Sequence, residues 1–153
     1  MTKLAKFRRL QRPDRRLLIE ASLLLLAARA ALRVLPFQTI VHFVSRGSAV
    51  SRGEAEAREL ARRVRWAVTA GARHGPGQSV CFPQAIAAHL LLRRRGAPST
   101  IYYGVAKTAA GELEAHVWVR AGALAVVGCG AAARFTLMTT FPPTAAMQPQ
   151  SPS

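Results

Sequence analysis

The sequence predicts an α+β domain: N-terminal helices plus a Cys-led helix, packed on a small antiparallel sheet. Three observations carry that prediction. Apolar residues recur at helical spacing in separate segments between Leu17 and Leu92. From Pro98 onward the period changes to two. Breakers divide the segments at Pro36, at Gly71 to Gly77, at Gly96 and at Gly122. Helices first and tightly connected strands afterwards is the order of an α+β chain. A length of 153 residues suits one domain. Half the residues are hydrophobic and 19% are charged, so the chain can bury a core and is no disordered basic tail. No segment recurs at a fixed period, which excludes a solenoid. The expected division is a basic N-terminal segment over 1–14, the folded domain over 15–141 and a disordered tail over 142–153.

The elements follow in order. Pro13 and Asp14 open the first helix and Pro36 closes it. Arg15, Ser22, Arg29 and Arg33 fall in one narrow sector of it, leaving a wide apolar face. That face suits a core helix, or one that docks a partner or a membrane surface. Residues 37–45 read as a short helix or an extended link, and Arg46 to Ser51 as a loop. The second clear helix spans about Gly53 to Ala70, with Glu54, Glu56 and Glu59 early and Arg62, Arg63 and Arg65 later, an order that suits the helix dipole. Trp66 is expected in the core. A third helix begins around Cys81, with Pro83 in its first turn, and runs through Leu90-Leu91-Leu92 and Arg93-Arg94-Arg95 to a cap at Gly96. His89 lies on it as a core or boundary histidine, whereas His42 and His74 read as surface residues. Ile101 to Val105, Leu113 to Arg120 and Leu124 to Val127 read as strands, with turns at Thr108 to Gly111 and at Gly122.

The net charge of +15 invites a nucleic-acid or membrane reading. Lys3, Lys6 and Lys107 are the only lysines, so the excess is almost all arginine, which biased codon usage also produces. The arginines are spread over several helices, and aromatics, at 7%, are not interleaved with them. A nucleic-acid partner is therefore not expected. Lys3, Lys6, Arg8 and Arg9 precede the apolar stretch, as in a signal peptide. Its charge-free part runs only from Ala21 to Ala28, far short of the ~20 residues of a spanning helix. The expectation is a cytoplasmic protein with no transmembrane span. Cys81 and Cys129 are too few for a disulfide scaffold, and no metal-binding motif occurs, so no metal or cofactor is expected.

Cysteine catalysis needs a thiolate, a base and donors for an oxyanion. Cys81 stands at the predicted start of a helix, where backbone N–H groups favour a thiolate. His116 lies mid-strand in the following meander and is a candidate general base. Trp118 shares its strand face and either walls a cleft or packs the core. The Cys81 backbone N–H is the favoured oxyanion donor, and Gln78 is a side-chain candidate or a plain polar loop residue. Cys129 is read as a small buried residue, a disulfide partner or a participant in the site.

The wider wording runs Cys81-Phe82-Pro83-Gln84-Ala85, Leu90 to Gly96, Tyr103-Gly104-Val105 and Ala115-His116-Val117-Trp118-Val119. It resembles the transglutaminase-like cysteine proteases of lasso-peptide biosynthesis, the leader peptidases or B proteins, over roughly residues 15–135. The resemblance implies a papain/transglutaminase-like fold over 15–141. It also implies a cysteine peptidase that removes the leader from a ribosomally made precursor peptide, with Cys81 and His116 catalytic. A separate ATP-dependent cyclase then closes the macrolactam. The residues before Cys81 already read as the protease's own helices, so leader recognition is expected from a separate protein or from this domain itself.

Two departures stand out. The family's His-Ala-Trp-Val-Glu appears as His116-Val117-Trp118-Val119-Arg120, and its third catalytic residue, an Asp on the next strand, falls at Gly128. No Asp, Glu or Asn follows Glu114. A Cys–His dyad then needs a backbone carbonyl or a water to hold the imidazole. The alternatives are a catalytically degenerate scaffold of the same fold, an acyl-transfer enzyme on another substrate, or a basic nucleic-acid- or peptide-binding module.

Overall fold

Proline and glycine set the element boundaries much as the sequence predicts. The computed structural model describes residues 3–46, 52–74 and 81–143. The elements are α1 (Lys3–Arg9), α2 (Arg12–Val34), α3 (Phe37–Ser45), α4 (Glu54–His74), α5 (Cys81–Arg94), β1 (Thr100–Lys107), β2 (Leu113–Ala121), β3 (Leu124–Val127), a 3-10 helix (Cys129–Arg134) and β4 (Thr136–Phe141). The stretch 37–45 is thus a helix, and α4 runs on through Gly71 to His74. The basic N-terminal segment contains a short helix that the sequence reading did not assign. From residue 144 on, the expected tail lies outside the described residues, as do residues 47–51 of the expected loop and Gly75 to Gly77 of the expected break.

The helices pack through small residues. Leu17, Ala21, Leu25 and Ala28 form the buried edge of α2, and Ala61, Val64, Ala67, Val68 and Gly71 that of α4. A Cβ on Gly71 would lie 3.1 Å from Leu25 Cδ1, so the two helices meet too closely there for a side chain. Asp14 in the first turn of α2 accepts from Arg63 of α4 at 2.8 and 3.1 Å. Glu20 accepts from Arg95 at 2.5 Å and from Arg94 at 3.2 Å, tying α2 to the end of α5. Those arginines hold the Glu20 carboxyl below its ordinary range, against the opposing pull of desolvation. The wide apolar face of α2 is only half used. Ile19, Leu23, Leu26 and Val34 remain exposed, because they lie opposite the edge that meets α4. Trp66 also departs from expectation and is 40% exposed. It follows Val64 by two residues, about 200° around the helix, which turns it away from the core.

Helix α5 is the central element, with every residue from Ala85 to Leu92 buried. It ends as predicted: Gly96 has φ +76°, and Ala97 N–H donates to the Leu92 carbonyl at 3.0 Å while Gly96 N–H donates to Arg93 at 3.1 Å. Arg93 reaches across to the last carbonyls of α3, Phe43 at 3.0 Å and Val44 at 3.1 Å.

His89 is the buried polar centre of this junction. Its Nε2 donates to the Val44 carbonyl at 2.9 Å, so its Nδ1 accepts from Ser99 Oγ at 2.8 Å. Burial pushes the His89 pKa down, the Val44 bond opposes that, and Arg93 adds to it. The unfolded chain therefore takes up a proton more readily than the folded one. The stability linked to His89 is complete above the ordinary value of about 6.5 and falls as pH drops through it. Denaturant midpoints measured from about pH 7.5 down to about pH 5 should fall more steeply for the wild type than for His89→Gln, which cannot titrate.

The four strands form one antiparallel sheet in the order β3-β2-β1-β4. Three of them are those read from the sequence. β4 is an addition, and it pairs with β1 instead of extending from β3. Ile101, Val117, Val119 and Val127 join the helical core. No helix among the described residues is long and apolar enough to cross a membrane.

Candidate active site

Cys81 is the first residue of α5 and is partly buried against the core. Pro83 in the first turn costs no helical hydrogen bond, and the Ala/Leu run behind it anchors the helix start. First-turn N–H groups have no intrahelical acceptor, which leaves donors at this end for an oxyanion. Gln78, the side-chain oxyanion candidate, lies outside the described residues.

His116 lies on β2 opposite Gly104 of β1. Alternation sends Val117 and Val119 into the helical core and His116 and Trp118 to the other face. There the His116 ring lies 4.9 Å from Phe135 and 6.1 Å from Trp118, and Trp118 stacks on Tyr102 at 5.7 Å. Gly104 makes room for this column: a Cβ there would come within 3.0 Å of Phe135, Thr136 and Trp118. Trp118 is therefore a packing residue of a second, aromatic cluster and at the same time a neighbour of the candidate base.

The His116 Nε2 lies 2.7 Å from the carbonyl oxygen of Gly128. A carbonyl only accepts, so Nε2 carries the proton and the lone pair is on Nδ1. This is the position where the resemblance places an Asp. Gly128 has φ +72° and turns the chain from β3 into the 3-10 helix. Its neighbour Cys129 is a free thiol that donates to the Val119 carbonyl at 3.2 Å, fixing the turn against β2. Glu114 does not substitute for the missing acid, since it pairs with Arg134 at 3.4 Å.

The structure brings together His116, Trp118 and position 128. Cys81 packs against the helical core, the face from which the His116 ring is turned away, and Gln84, three residues further along α5, shares a cavity with residues 125–130. Among the described residues no hydrogen bond joins Cys81 to His116. No cluster of three or more metal-ligating side chains occurs among them either.

A comparison with protein families matches residues 22–140 to the family described as the transglutaminase-like superfamily. The chain belongs to the transglutaminase-like superfamily. The match spans from α2 to β4, so it includes the Cys-led helix, the histidine strand and the Gly128 turn. No curated protein and no solved structure matches the chain. Transglutaminase-like proteins are generally cysteine peptidases or transglutaminases, and both chemistries pass through a thioester. In this transglutaminase-like chain the sequence pointed to Cys81, His116 and Trp118. For the partner of His116 it left a backbone carbonyl or a water open, and the structure places the Gly128 carbonyl there. The sequence signals for it were the resemblance, which places an acid at Gly128, and the Gly128-Cys129-Gly130 triplet at a strand end.

Proposed function

We propose that this chain is a cysteine peptidase that removes the leader from a ribosomally made lasso-peptide precursor, ahead of a separate ATP-dependent cyclase. The observation that carries the reading is the Gly128 carbonyl on His116 Nε2, a replacement for the orienting carboxylate at the position where the family has one. Cys81 is the nucleophile. Its Sγ attacks the carbonyl carbon that precedes the first core residue, and the Cys81 N–H at the start of α5 receives the oxyanion. His116 Nδ1 takes the thiol proton and passes it to the leaving amine, while its Nε2–H stays on Gly128. Water then hydrolyses the leader thioester and restores the thiol. A carbonyl dipole stabilises the transient imidazolium less than a carboxylate would, so turnover is modest. No hydrogen bond joins the two side chains among the described residues, so the mechanism requires that substrate binding bring Sγ within reach of Nδ1.

A second reading, an inert scaffold, draws on the missing Asp and on the absence of a Cys81–His116 hydrogen bond. One experiment decides between them: the wild-type protein is incubated with the precursor peptide and its separate recognition protein, without ATP, and read by mass spectrometry. The peptidase reading expects two fragments whose junction precedes the first core residue. Intact precursor selects the scaffold.

A further inference from the structure

We infer that the cavity between α4 and the Gly128 turn is a subsite for an acidic side chain of the peptide substrate, held by Arg65. The inference rests on the peptidase reading and adds a substrate preference to it. The cavity has a volume of about 400 Å³ and is lined by Arg65 and Thr69 of α4, Gln84 of α5, and Gly128, Cys129 and Gly130. That volume accommodates one or two residues of a peptide. Its side chains offer a guanidinium, a hydroxyl and an amide, and no acid is among them.

Arg65 differs from its neighbours on α4. Arg58 pairs with Glu54 at 2.7 Å, Arg62 with Glu59 at 3.3 Å and Arg63 with Asp14 at 2.8 Å. Arg65 has no ion-pair partner among the described residues. An unpaired guanidinium over a cavity of neutral donors matches a single carboxylate, which it can bind through two parallel N–H bonds. The location ties the cavity to the chemistry. Gln84 is one turn along α5 from Cys81, and Gly128, which lines the cavity, is the residue whose carbonyl holds His116. A peptide lying across Cys81 therefore places a side chain a few residues from the scissile bond within reach of Arg65. The net charge of +15 draws an acidic peptide toward the same surface.

The test has two arms. In the first, Cys129, which lines the cavity, reports on it directly. The protein is alkylated with anionic iodoacetate and with neutral iodoacetamide, and labelling at Cys129 is read by peptide mass spectrometry. Arg65→Gln should lower the iodoacetate-to-iodoacetamide ratio about threefold or more, and Arg65→Lys should keep it near the wild-type value. Equal ratios in all three proteins overturn the inference whether or not the protein cleaves peptides. In the second arm, each Asp or Glu within four residues of the cleavage point of a precursor peptide is changed to its amide. One such change should raise the wild-type KM about tenfold with kcat little altered, and should have no effect on Arg65→Gln. Cleavage by the wild type that is indifferent to every such change overturns the subsite while leaving the peptidase reading intact.

Discussion

Cys81→Ala should abolish precursor processing, a fall of at least about a thousandfold, and leave the thermal midpoint close to that of the wild type. The loss follows from the chemistry: without Sγ no thioester forms, and neither His116 nor an oxyanion donor supplies a nucleophile. The fold survives because the cysteine is only partly buried at a helix start and alanine is a good helix former. His116 calls for a different substitution. Its ring lies between Phe135 and Trp118, so His116→Ala would remove packing as well as a base. His116→Gln keeps an N–H that can still reach the Gly128 carbonyl and lacks a basic nitrogen. It should lose at least about a hundredfold in rate with little loss of stability. Rates from mass spectrometry and melts by circular dichroism check both variants. Full processing by Cys81→Ala protein would sink the assignment of the nucleophile.

What the sequence made legible was local. The end of α5 is written in Arg93-Arg94-Arg95-Gly96, and the β1–β2 hairpin in its period of two around Thr108 to Gly111. β4 was not legible, since it pairs with the distant β1 and its first three residues, Thr136 to Met138, are all exposed and carry no alternation. The α2 leucines read as one wide apolar face, suited to the core or to docking, and the core takes only its edge, leaving Ile19, Leu23 and Leu26 about half exposed. Trp66 was judged by residue type, when its phase relative to Val64 already placed it outside. Cys81 and His116 were legible because side-chain chemistry is encoded in letters. At the third position the letters showed only a missing Asp and left a backbone carbonyl or a water as its replacement, without deciding between them. A carbonyl belongs to every residue, and only the turn geometry at Gly128 aims this one at an imidazole.

That geometry leads to the second large effect: restoring the family's acid by Gly128→Asp should slow precursor processing and destabilise the chain. A Cβ at position 128 would lie 2.5 Å from the Val117 carbonyl oxygen and 3.1 Å from Trp118 Cα. Both are backbone atoms of β2, the strand that carries His116, so relief of the clash requires the turn or the strand to move. The left-handed φ of +72° adds a penalty of about 1–2 kcal/mol for a residue with a side chain. A turn that opens also withdraws the Gly128 carbonyl from Nε2, and the ring loses the bond that keeps its lone pair on Nδ1. Gly128→Ala separates geometry from charge, because it introduces the same Cβ without a carboxylate. Both variants should melt several degrees below the wild type and process precursor at least about tenfold more slowly. A Gly128→Asp protein with an unchanged melt and faster cleavage would mean that the carboxylate fits after all, and that the carbonyl is not the group that orients His116.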